Sequence, residues 1–108
     1  MKCILKLNDY YLLWSTVSDS PVTWGLPLDE FKVYYECEYG NTGMDELPAR
    51  LERVDRTGTS AFGQTADEVI LKNRAGHKEA HLSRDELIDW YCVKRMMPQE
   101  TETCQQRQ

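Results

Sequence analysis

What this chain lacks narrows it before any motif is read. No apolar run approaches the roughly 20 residues that a membrane-spanning helix requires. Lys6 interrupts the apolar start Cys3-Ile4-Leu5, so the N-terminus does not read as a signal peptide, and a cytoplasmic location is expected. Positive charge is scarce: Lys and Arg number 13 against 18 Asp and Glu, a formal net charge of -5. Phosphate contacts need clustered cations, so direct nucleic-acid binding is disfavoured. Gly58 and Gly63 are not followed by the Lys-Ser/Thr of a phosphate-binding loop.

Histidine and paired cysteine are scarce too. His77 and His81 fall between Gly76 and Ser83, where no helix is expected to bring them to one face. They read as surface residues, and no metal or cofactor is expected. The four cysteines, Cys3, Cys37, Cys92 and Cys104, include no Cys-x-x-Cys pair. They read as reduced thiols, three in the core and Cys104 in the tail. Nothing in the sequence joins any of them to a histidine, so no catalytic residue is assigned and a non-enzymatic role is expected. A cysteine-dependent enzyme would require a depressed thiol pKa at Cys37 or Cys92.

What is present reads as one small α+β domain over residues 1–97, with a disordered polar tail at 98–108. An N-terminal antiparallel β-hairpin runs Cys3–Leu7, turns at Asn8-Asp9, and returns through Tyr10–Trp14. That turn pairs Leu7 with Tyr10, Leu5 with Leu12 and Cys3 with Trp14 on one face. The other face carries Ile4, Lys6, Tyr11 and Leu13, apolar enough to be covered or to bind a partner. Ser15 to Pro27 reads as loop, with Trp24 in it either plugging the core or marking a contact surface.

About four short helices should pack with the hairpin. The first runs from Leu28 to about Tyr39, with Gly40 as its stop. The second covers Met44 to Arg56. Pro48 is tolerated only in a first turn, which sets its start near Glu46 to Leu47, and Gly58 ends it. The third begins at Thr65, where Thr65-Ala66-Asp67-Glu68 is a capping box, and closes at Gly76. The fourth begins at a second box, Ser83-Arg84-Asp85-Glu86, with Leu82 and Leu87 as a hydrophobic staple. Leu87, Trp90, Tyr91 and Lys94 then recur at helical spacing.

Two compositional features suggest a surface with a purpose. Asp29, Glu30, Glu36, Glu38, Asp45, Glu46, Glu52 and Asp55 face only Lys32, Arg50 and Arg53, so this stretch holds the whole net charge of the chain. Such a patch can dock on a basic groove, or simply keep the domain soluble. Tyr34, Tyr35 and Tyr39 share one helix and cannot all face inward, because a helix turns about 100° per residue. Tyrosines left outside beside carboxylates suit a protein–protein contact.

Several stretches resemble small uncharacterised proteins encoded by bacteriophages and prophages. They are Tyr11-Leu12-Leu13-Trp14-Ser15-Thr16-Val17 with Asp19 and Pro21-Val22-Thr23, then Glu38-Tyr39-Gly40, Arg53 through Ser60, and Asn73-Arg74-Ala75-Gly76. The resemblance covers about residues 4 to 93. It carries no catalytic residue and implies a small accessory protein that inhibits or redirects a larger machine. Within it, Asn73 and Arg74 can bond the last carbonyls of a helix, and Arg74 can pair with Asp19 across the domain.

Together these readings predict a non-enzymatic phage-type accessory protein, monomeric or a small homo-oligomer. It would bind a protein partner with a basic surface through Trp24, Asp29, Glu30, Tyr34, Glu36, Glu38, Asp45 and Glu46. The alternative is a small oligomeric ligand- or nucleotide-sequestering domain, with Ile4, Tyr11 and Leu13 as its subunit contact.

Overall fold

The computed structural model describes residues 2–96. The expected tail at 98–108, with Cys104, lies outside them. Strand β1 (Lys2–Leu7) and strand β2 (Tyr10–Ser15) form the hairpin. Its register is the predicted one: Leu7 opposite Tyr10, Leu5 opposite Leu12, Cys3 opposite Trp14. At the turn only Asn8 takes a positive φ, 54°, which asparagine tolerates better than most residues. A short third strand, β3 (Ser20–Pro21), pairs with the far edge of β2. It comes out of the stretch expected to be loop. Beside it, Leu26 and Tyr11 exchange backbone hydrogen bonds of 2.8 and 2.9 Å.

The outer edge of β1 is occupied. On the β1 side, the Lys6 amide donates to Gly58 O at 2.8 Å and the Ser60 amide donates to Ile4 O at 3.0 Å. The buried Thr59 hydroxyl donates to the same Ile4 carbonyl, and the Ile4 amide donates to Ser60 Oγ at 2.8 Å. A loop thus covers strand groups that would otherwise be open to a stray partner.

Both faces are occupied as well. Cys3, Leu5, Leu7, Leu12 and Trp14 pack against helix α2 (Ala66–Leu71), helix α3 (Arg84–Leu87) and the residues that follow it. Ile4, Tyr11 and Leu13 pack against Phe31, Tyr35, Leu47 and Val54 of helix α1 (Leu28–Thr57). The sheet is the middle layer of three. The alternative of a subunit contact at Ile4, Tyr11 and Leu13 therefore fails: α1 already buries them, each at 7 % exposure or less.

Helix α1 corrects the reading of two separate helices with a gap between them. Helical conformation runs from Leu28 to Thr57 and breaks at Gly40 alone (φ 64°, ψ -157°). Only glycine visits that region at little cost. A straight helix of 30 residues would be about 45 Å long, beyond the longest dimension of the fold, 35 Å. The chain bends sharply at Gly40, and residues from both arms reach the same face of the sheet. At the bend, a Cβ on Gly43 would lie 2.2 Å from Tyr39 Cβ, so the close approach requires glycine there. Pro48 sits inside the second arm rather than at its start. Its side of the helix is exposed, so the carbonyl left without a backbone donor can be hydrated. Gly58 ends the helix with φ 85°, as expected.

The two capping boxes form as read. Thr65 and Glu68 exchange hydrogen bonds at the start of α2, and Ser83 and Glu86 do so at the start of α3. Leu82 and Leu87 are both buried. After Leu87 the chain widens into a π-helical stretch, Ile88–Val93, instead of continuing as α-helix. The wider turn brings Leu87, Tyr91 and Cys92 together into the core. Among the described residues there are thus three α-helices, the last running on into the π-helical stretch, and a short 3-10 turn at His77–Glu79, where about four separate helices were expected. No helix among them is long and apolar enough to cross a membrane.

Candidate functional site

The inner side of α1 is spent on the sheet, which turns the carboxylates outward. Asp29, Glu30, Glu36, Glu38, Asp45 and Glu46 are all exposed. The bend at Gly40 divides them, with Asp29 to Glu38 on the first arm and Asp45 to Asp55 on the second. Among the described residues, Glu46 alone of the eight carboxylates joins an ion pair, with Arg50 at 3.1 Å. Val33 stands among the first-arm carboxylates at 63 % exposure. Trp24 is half-buried beside β2, ahead of α1; the neighbouring Gly25 amide donates to Tyr91 O at 2.7 Å.

The three helical tyrosines divide as their spacing requires. Tyr35 is buried, Tyr34 is half-buried and Tyr39 is 40 % exposed. Phe31 packs against two of them and against Tyr11 of β2, with ring centroids 5.8 Å from Tyr35, 6.4 Å from Tyr34 and 5.9 Å from Tyr11. Burial, then the nearby Glu38 carboxylate, push the Tyr34 hydroxyl up to about 12. It remains a neutral donor at physiological pH.

Beside this surface, the bend in α1 and the start of the hairpin enclose a cleft of 360 Å³. Lys2, Tyr35, Tyr39, Thr42, Glu46 and Arg50 line it, over a floor that includes Ile4 and Leu13. The Tyr35 and Tyr39 rings lie 4.6 Å apart. Sequence reasoning did not assemble this site, because Lys2 and Arg50 are far apart in the chain and meet only when α1 folds back. The one local signal was the pair of tyrosines four residues apart. A second depression, of 530 Å³, lies where α1 ends, between Arg53, Arg56 and the loop to Thr65. Phe62 is 80 % exposed there, and the Arg53 guanidinium stacks 4.1 Å from its ring centre.

The thiols sit differently from expectation. Cys3 and Cys92 are buried, but Cys37 is exposed: two residues on from buried Tyr35, it falls on the opposite side of α1. Burial pushes the Cys92 thiol up to about 11, and burial raises Cys3 as well. Cys92 is the opposite of an activated nucleophile. His77 is exposed, with its ring 5.5 Å from that of Trp90, and His81 Nδ1 lies 3.0 Å from Asn73 O. Among the described residues, no group of three His, Cys, Asp or Glu side chains is placed to hold a metal.

Asn73 and Arg74 hold the far side of the domain. Asn73 is 1 % exposed; its side-chain amide donates to Ile70 O and Leu82 O and accepts from the amides of Ala75 and Leu82. The Arg74 guanidinium reaches Asp19 at 3.6 Å, Glu79 at 3.2 Å and Val17 O at 3.0 Å. Its amide donates to Asp19 O at 2.8 Å. The pairing of Arg74 with Asp19 proposed from the sequence is present. The chain matches no protein-family model, no curated protein and no solved structure.

Proposed function

We propose that this is a non-enzymatic accessory protein of the phage type, which occludes a basic surface on a protein partner with the outer side of α1. One observation carries the reading: seven of the eight α1 carboxylates have no cationic partner among the described residues. Charge left unpaired on one side of a small domain steers and orients a basic partner. Val33, Tyr34 and Tyr39 supply the apolar and aromatic area that such a contact needs at its centre. The cytoplasm is the compartment in which that partner would be met.

The test is capture of a partner by the tagged protein from bacterial lysate at low and at high salt. A single stoichiometric partner, held at low salt and released at high salt, is the expected result. The variant Glu36→Lys/Glu38→Lys/Glu46→Lys should keep the circular dichroism spectrum and lose that partner. Undiminished capture by the folded triple variant would remove α1 as the contact surface.

A further inference from the structure

We infer that the cleft between the bend of α1 and the start of the hairpin is a binding site for a small organic monocarboxylate with a flat or apolar body. This site lies beside the proposed protein contact and shares Tyr39 and Glu46 with it, but it rests on the cleft they line with Lys2, Tyr35 and Arg50. Tyr35 is 4 % exposed and lines the cleft. Its hydroxyl takes no hydrogen bond among the described residues, yet no buried side-chain polar atom there is orphaned. The little of Tyr35 that solvent reaches therefore includes that hydroxyl. A donor this deeply set and unpartnered is where a ligand acceptor fits.

The charges around it select the ligand. Lys2 and Arg50 supply two cations at the rim, and Glu46 removes one of them through its 3.1 Å bond to Arg50. That leaves a place for a single negative charge and argues against a dianion such as a phosphate monoester. Arg50 lines the same cleft as both tyrosines. Burial raises the pKa of Tyr35, against Arg50 and with Glu46; burial, then Tyr35 and Glu38, raise that of Tyr39, against the weaker pull of Arg50. A carboxylate can accept from the guanidinium and the tyrosine hydroxyls at once. Its body would lie against the tyrosine rings and the apolar floor of Ile4 and Leu13. The volume of 360 Å³ suits a body of one or two rings.

The probe is benzoate, titrated into the full chain with two-dimensional NMR as readout, against benzamide and inorganic phosphate. Saturable shifts of the Thr42, Gly43 and Arg50 amides are expected, with a Kd of about 1 mM or tighter. Benzamide and phosphate should bind at least about tenfold more weakly. Arg50→Gln should cost about tenfold and Tyr35→Phe several-fold, with the melting temperature of each variant recorded beside its titration. Glu46→Gln frees the Arg50 fork and should tighten benzoate. The same change should, if anything, loosen a basic partner, so the two proposals fail separately. Equal binding of benzamide and benzoate, no saturation, or full affinity in a folded Arg50→Gln variant would overturn the assignment.

Discussion

Asn73 ties the end of α2 to the segment before α3 through four side-chain hydrogen bonds made in a dry site. Asn73→Ala leaves the Leu82 and Ala75 amides without acceptors and the Leu82 carbonyl without its donor, while Ile70 O keeps the Asn73 backbone amide. Orphaned buried groups cost more than the bonds gained, so the expected loss is about 3 kcal/mol, read as a lower urea midpoint at unchanged m-value. An Asn near a helix end before Gly was legible as a capping residue; its reach to Leu82 was not, because that contact depends on where the next segment returns. Cys92 and Tyr34 make a second prediction. Burial raises Cys92 from 9.0 to about 11 and, with Glu38, raises Tyr34 from 10.0 to about 12. Both groups hold their protons more tightly folded than unfolded, so their contribution is complete below pH 9 and is lost as pH rises through the two folded values. Urea midpoints measured from neutral to strongly alkaline pH should fall across that window, and the fall should be shallower in Cys92→Ala. At mildly alkaline pH, iodoacetamide should modify exposed Cys37 in the folded protein and reach Cys92 only on unfolding.

Among the elements, the capping boxes were readable because every participant lies within four residues, and the same local geometry forms wherever the box occurs. The hairpin register was readable because a two-residue turn at Asn8-Asp9 fixes which residues of the two strands stand opposite each other. The bend in α1 was half readable. Gly40 marked an interruption, but a glycine stop and a glycine corner look alike in sequence, and only packing of both arms on one sheet face chooses the corner. Nothing lies within 4 Å of a Cβ built on Gly40, so Gly40→Ala tests backbone strain without a steric clash. Its φ and ψ predict a cost of about 2 kcal/mol, measurable by thermal unfolding. A cost near zero would mean that the corner relaxes to an ordinary conformation. The π-helical stretch was not readable, since Leu87, Trp90, Tyr91 and Lys94 fit an α-helix equally well.

For the molecule as a whole, the sheet is closed in on two faces and along its β1 edge, and Arg74 ties the β2–β3 turn to the segment after α2. Its guanidinium is 44 % exposed, so Arg74→Ala should cost only about 1 kcal/mol. The effect should be local: faster amide hydrogen exchange over residues 16–20, with α1 unchanged. Exchange accelerated throughout would mean that this tie supports the entire fold. The sequence alone determined the α+β class, the hairpin with its register, both capped helix starts and the acidity of the region from Asp29 to Asp55. All of these depend on patterns local in the chain: alternation, caps, turn residues and charge. Tertiary structure alone decided that α1 folds back over Ile4, Tyr11 and Leu13, that Cys37 is left outside, and that Lys2, Tyr35, Tyr39 and Arg50 meet around one cleft. Each depends on which surfaces bury one another, and burial is settled between segments distant in sequence.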